Sequence, residues 1–215
     1  AALSDMMGTP FHHNEQSLRV VDKLERDGDG LNLTYEVRMA ILGHTGPRIP
    51  ETLEGQVVRT SDRIAYINHD IDDAIRAGIL SESDIPREIA DVLGASHSAR
   101  INTLVEDMIS NTQNTGVLSM HQEVSDAMGA LRTFMFERVY KNPVAKSEEG
   151  KAEMLMETLY QHFLKHLDDL PEEYLNLLSV GEPREKVVCD YVGAMTDRFA
   201  IAVYEDIYIP KSWQR

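Results

Sequence analysis

Apolar residues recur along this chain at three- and four-residue intervals, the spacing that gathers them on one face of an α-helix. Asn14 to Arg26 carries Leu18, Val21 and Leu24 in that register, and Gly28-Asp29-Gly30 ends it. Thr34 to Leu42 predicts a short second helix with Thr34 as its N-cap. Gly43 to Pro50, with two glycines and two prolines, predicts a loop. A long helix follows from Thr52 to about Ala77, stopped by Gly78. Further helices are predicted at Pro86–Leu93, Ser98–Thr112 and Ser119–Tyr140. After a loop over Lys141–Glu148 come Lys151–His166, Glu172–Val180 and Glu185–Tyr208, with Pro171 and Pro183 marking breaks. No alternating strand pattern longer than a few residues, internal repeat or low-complexity segment interrupts them. The predicted fold class is all-α, a globular multi-helix assembly in one domain over 1–215 and not a simple four-helix bundle.

The long helix has two faces of different chemistry. With Asp62 at zero on a helical wheel, Tyr66 falls near 40°, Asp70 near 80°, Asp73 near 20° and His69 near −20°. Ile64, Ile67, Ile71 and Ile75 gather on the opposite side, roughly 140° to 220°. One face is therefore core, and the other holds three carboxylates, an imidazole and a phenol. A solvated acidic face is the competing reading. Against it stand Tyr66, where a solubilising face more often uses Lys or Glu, and like charges at i, i+4 spacing, which destabilise a helix unless a cation neutralises them. Arg63, Arg76 or a bound metal would serve.

Composition narrows the options. Acidic residues number 36 against 21 basic, a formal net charge of −15, which disfavours a nucleic-acid-binding surface. The same charge repels a polyanion at long range, so a phosphate ligand calls for a cation at the site. No apolar run approaches the roughly 20 residues of a membrane-spanning helix. The start, broken by Asp5, Gly8 and Pro10, does not read as a signal peptide. With Cys189 as the single cysteine, no internal disulfide forms, and a cytoplasmic setting is expected.

The run from Thr52 to Ala74, with its spacing D-R-x-x-Y-x-x-x-D at Asp62, Arg63, Tyr66 and Asp70, resembles the bacterial dGTPase-like HD-domain triphosphohydrolases. His13-Asn-Glu-Gln-Ser-Leu-Arg19, Gly43-His44-Thr45-Gly46, Leu131 to Tyr140 and Asp190 to Arg198 are similar to segments of the same family. The resemblance implies an HD-type helical domain that splits a deoxynucleoside triphosphate (dNTP) into deoxynucleoside and tripolyphosphate. Water attacks the α-phosphorus, the 5′-oxygen leaves, and a His supplies its proton. The resemblance also implies residue roles. Asp62 is a ligand of a divalent metal (Mg, Mn, Zn or Fe), Arg63 faces the phosphates, Tyr66 packs on the deoxyribose and Asp70 binds the 3′-hydroxyl. His13 is the candidate proton donor or phosphate contact, Asn14 and Gln16 are candidate substrate contacts beside it, and Tyr140 is a candidate for closing the sugar pocket. For Tyr140 a partly buried core position is the competing reading, and for His13 a capping or surface one. Relatives assemble into dimers or hexamers, so a homo-oligomer is expected.

The chain departs from the family at the HD motif itself. Aligned on Thr9-Pro10-Phe11, Asp5 falls on the HD aspartate, Ser4 replaces its histidine, and Gly8 stands where a second His is expected. Asp5 and Asp62 are thus the metal-ligand candidates, and two carboxylates suit Mg²⁺ with waters better than a transition metal. Two accounts stay open: a sequence that omits or alters residues of a longer protein, or a protein that has lost its metal site. The second makes the chain a catalytically silent nucleotide-binding or oligomer-scaffolding protein. His44, in its glycine-flanked loop, either reaches the site or is an ordinary surface residue, and His97, His121, His162 and His166 show no ligand-like grouping.

Overall fold

The computed structural model describes residues 2–211, and among them every regular element is helical. The α-helices are α1 (Ala2–Met7), α2 (His13–Arg19), α3 (Tyr35–Gly43), α4 (Leu53–Arg76), α5 (Arg87–Leu93) and α6 (His97–Thr115). They continue with α7 (Gln122–Met135), α8 (Pro143–Lys146), α9 (Glu149–Lys165), α10 (Glu172–Ser179), α11 (Arg184–Gly193) and α12 (Asp197–Tyr208). The all-α reading holds.

Three local expectations are corrected. The helix over 14–26 stops being α-helical at Val20, continues as a π turn over Val20–Leu24, and closes in a 3₁₀ turn over Arg26–Gly28. Arg26 and Asp27 there take positive φ (54° and 56°), and Gly30, at φ +71°, lies so close to Asp22 that a Cβ would sit 2.3 Å from its carbonyl oxygen. The chain reverses there because glycine tolerates both the dihedral and the approach. The single helix expected over 185–208 is two: α11 ends at Gly193, and the Thr196 side chain accepts the Phe199 N–H at 3.3 Å, capping a new helix. The apolar spacing of Met195 and Val203 runs through this break, which hid it. The connection over 141–148 holds the one-turn α8.

The described residues gather into two compact units. One is continuous, Tyr35–Glu148; the other combines the residues up to Thr34 with those from Glu149 onward.

In the continuous unit the core is built on the apolar face of α4. Ile64, Ile67, Ile71 and Ala74 are buried together with Leu93 of α5, Leu104 of α6, and Val124, Ala127, Leu131 and Met135 of α7. A polar chain crosses this core. The fully buried Arg100 of α6 donates through Nε to Asn68 Oδ1 (3.0 Å), and through a terminal nitrogen to Glu82 (2.9 Å). Asn68 in turn donates to the Ile64 carbonyl (2.8 Å). These bonds fix the rotation of α4 about its own axis, because Asn68 meets its partner in only one orientation.

In the other unit, α9 and α11 supply Leu159, Tyr160, Phe163, Val187, Val188, Cys189 and Val192 to a separate core. Asp190 is fully buried and surrounded by donors. Arg19 reaches both its oxygens (2.8 and 3.0 Å through Nε), Gln16 donates at 2.8 Å, and Lys186 lies 3.4 Å away. Arg19 also pairs with Glu182 at 2.8 Å.

Candidate active site

Helix α4 starts on a true cap: the Thr52 hydroxyl accepts the Gly55 N–H at 3.2 Å. From there the two faces of the wheel separate as expected. Asp62, Arg63, His69 and Asp73 are exposed, and Tyr66 and Asp70 are half-buried opposite the isoleucine core.

The loop before α4 is held down by α4 itself. Arg59 is buried and its guanidinium donates to three backbone carbonyls, Gly43 and Gly46 at 2.6 Å and Arg48 at 3.0 Å. Burial, and then the charge of Arg63 one turn on, push its pKa below the usual arginine value. The close approach needs Gly55, where a Cβ would stand 2.6 Å from that of Pro50 and 3.0 Å from that of Ala40. His44, in the same loop, has Nδ1 2.6 Å from the Ile41 carbonyl.

These elements enclose a cavity of about 530 Å³ within the continuous unit. The loop contributes His44, Thr45 and Gly46; α4 contributes Asp62, Arg63, Tyr66 and Ile67; α7 contributes Ser125, Met128, Gly129 and Arg132. That volume is in the range of small-ligand sites. Two guanidinium groups, Arg63 and Arg132, stand on walls made by different helices, so local positive charge is present in a chain of net charge −15. One turn beyond Tyr66, Asp70 accepts a short hydrogen bond from the Tyr140 hydroxyl. Burial raises the Tyr140 phenol pKa first, and the Asp70 bond and charge raise it further, with Arg132 opposing.

Of the residues singled out in the sequence, Asp62, Arg63 and Tyr66 therefore share one cavity, with Asp70 and Tyr140 bonded to each other. Asp5, His13, Asn14 and Gln16 belong to the other unit. Asp5 lies on α1 and lines a hollow of about 320 Å³ with Glu153, Glu157 and Gln161. His13 is exposed and opens α2, Asn14 is half-buried beside it, and the Gln16 amide bridges Asp190 (2.8 Å) and Lys186 (2.7 Å). Arg132 was missed in the sequence. Its signal was the run Ser125, Gly129, Arg132 at i, i+4, i+7, two small residues opening space below a cation.

Asp62 gives the cavity one carboxylate, and among the described residues no three His, Cys, Asp or Glu side chains converge as a metal-holding group. Divalent cations take several oxygen or nitrogen donors. The donor set here does not by itself fit a resident ion, and the chemistry below is that of the chain's own side chains. No helix among the described residues is long and apolar enough to cross a membrane.

Comparison with known proteins follows the same lines. Residues 118–206 match the family described as phosphohydrolase-associated domain. Over 211 residues the chain is 45% identical to a deoxyguanosinetriphosphate triphosphohydrolase-like protein of Caldanaerobacter subterraneus subsp. tengcongensis, covering 98% of this chain and 62% of that protein. It is 44% identical over 218 residues to one of Clostridium perfringens (97% and 64%), and 36% identical over 226 residues to one of Desulfatibacillum aliphaticivorans (97% and 64%). The chain thus spans a little under two thirds of the length of these relatives.

Proposed function

We propose that the chain, similar over nearly its whole length to deoxyguanosinetriphosphate triphosphohydrolase-like proteins, carries the nucleotide-binding side of a dNTP triphosphohydrolase. The observation that supports this most is the set of groups that α4 and α7 bring together. Cationic Arg63 and Arg132, the carboxylate of Asp62 and the ring of Tyr66 line the cavity, and the Asp70–Tyr140 pair lies one turn beyond Tyr66 along α4. A deoxynucleotide presents matching chemistry: phosphates, a sugar ring with an apolar face, and a 3′-hydroxyl.

In this proposal Arg63 and Arg132 bind the triphosphate and offset the charge that builds as water attacks the α-phosphorus. Tyr66 packs on the deoxyribose, where an added 2′-hydroxyl would find no partner. Asp70 accepts from the 3′-hydroxyl and fixes the sugar, and so the position of the 5′-oxygen that leaves. The divalent cation implied by the resemblance needs donors beyond Asp62.

The test is product analysis. Full-length protein is incubated with each dNTP and a divalent metal, and the products are separated by anion-exchange chromatography. Equimolar deoxynucleoside and tripolyphosphate are expected. Release of nucleoside monophosphate with pyrophosphate would refute the bond assignment, and absence of both turnover and dNTP binding would refute the site.

A further inference from the structure

Helix α7 does not stay α-helical to its end. After Met135 it passes into a π turn over Phe136–Tyr140. In an uninterrupted α-helix Tyr140 would sit about 80° around the axis from Arg132, since eight residues advance about 800°. A π turn closes i→i+5, so each residue advances by less than the α-helical step. Over five residues the deficit swings Tyr140 back into line with Arg132. It also turns Val139 toward the direction of Leu131 and Met135, and Val139 is buried with them in the core. The π turn thus keeps the core stripe of α7 intact while aiming a phenol at α4.

What that phenol meets is Asp70. A tyrosine hydroxyl has one proton to donate, and Tyr140 gives it to Oδ2 of Asp70. We propose that Tyr140 is a positioning residue: by holding one Asp70 oxygen it presents the other, Oδ1, to the substrate's 3′-hydroxyl. The role rests on reading the cavity as a deoxynucleotide site. It is distinct from packing against the sugar, because it resides in the hydroxyl and not in the ring. An aspartate without this bond rotates about its terminal torsion and divides its acceptor directions between sugar and water. The phenol's raised pKa keeps its proton in place through the neutral range, so the bond is always donated in the same direction.

The experiment uses the full-length protein and two ligands, a dNTP and the 2′,3′-dideoxy nucleotide with the same base, measured by calorimetric binding. Wild type should favour the dNTP by about tenfold or more, the value of a hydrogen bond to a charged acceptor. Asp70→Asn should abolish most of that preference. Tyr140→Phe, which keeps the ring, should lower it at least about threefold, and the double variant should match Asp70→Asn. Preference in Tyr140→Phe equal to wild type would overturn the positioning role. If wild type itself shows no preference, the sugar-site reading fails instead. A second measurement then judges the Tyr140–Asp70 link alone. The phenol titration of Tyr140, taken as the difference from Tyr140→Phe, should move down toward the ordinary tyrosine value in Asp70→Asn. A titration that does not move sinks the link as well.

Discussion

Replacing Arg59 by Met tests how the cavity is held open. Met keeps much of the aliphatic volume and removes the guanidinium, with its bonds to the carbonyls of Gly43, Gly46 and Arg48 at 2.6, 2.6 and 3.0 Å. A hydrogen bond with a charged partner contributes about 1.5–3 kcal/mol. The three do not add at face value. Gly46 and Arg48 are exposed, so their carbonyls regain water, whereas Gly43 is buried and its carbonyl is left unsatisfied. Opposing the loss, the variant no longer buries a guanidinium that faces neutral acceptors and lies one turn from Arg63. The balance is a local destabilisation of about 2–4 kcal/mol, or roughly 30- to 1,000-fold faster amide exchange through local opening. Hydrogen exchange read on peptides covering residues 43–50 measures it, with α6 peptides as the internal control. Arg59→Lys, which keeps the charge but not the fork, should fall between the two. Exchange in that loop within twofold of wild type for Arg59→Met would show that the loop holds its shape without the arginine.

Other outcomes follow from the same structure. Arg132→Gln should weaken triphosphate binding about 10- to 100-fold while leaving the preference for a 3′-hydroxyl intact; calorimetry with both ligands separates these effects, and a lost preference would contradict the assignment of Arg132 to the phosphates. Gly55→Ala forces a Cβ to within 2.6 Å of the Pro50 Cβ, and should cost about 1–3 kcal/mol in urea unfolding; a neutral result would mean the α3–α4 connection relaxes freely. The pairs with Lys23 and Arg19 hold the Glu182 carboxyl below its ordinary range, so its contribution to stability is present above the unfolded-state value. It should disappear as pH falls through the folded-state value. Glu182→Gln should flatten the acid limb of a Tm-against-pH profile, and parallel profiles for the two proteins would remove Glu182 from the linkage.

Much of the site was legible because one helix carries it. Asp62, Arg63, Tyr66 and Asp70 fall on one face by spacing alone, and the isoleucines fix which face turns inward. What a wheel cannot show is the opposing wall. Arg132 became visible only when α7 was placed across from α4, and the Asp70–Tyr140 bond depends on the π turn. Apolar spacings of three and four residues suit α and π turns almost equally, so the sequence carries no mark of where one gives way to the other. Likewise His13-Asn-Glu-Gln-Ser-Leu-Arg19 and the segment beginning at Asp190 were read as separate family-like stretches, and the structure shows Gln16 and Arg19 hydrogen-bonded to Asp190. Partners separated by 174 and 171 residues leave no local pattern by which to find each other.

That separation bears on the order in which the chain acquires its structure. The unit over Tyr35–Glu148 is contiguous, so its contacts are complete once its own residues have been synthesised. Arg19 must instead wait for Asp190, and the loop-closure entropy of bringing them together rises with the length of chain between. A finished unit folded into that interval shortens the effective loop, because only its two ends then have to meet. We therefore expect nascent chains to protect α4 and α7 first and α2 last, with α2 becoming ordered only after α11 has emerged. Pulse-labelled hydrogen exchange on stalled or refolding chains reads that sequence directly, and early protection of α2 would reverse it.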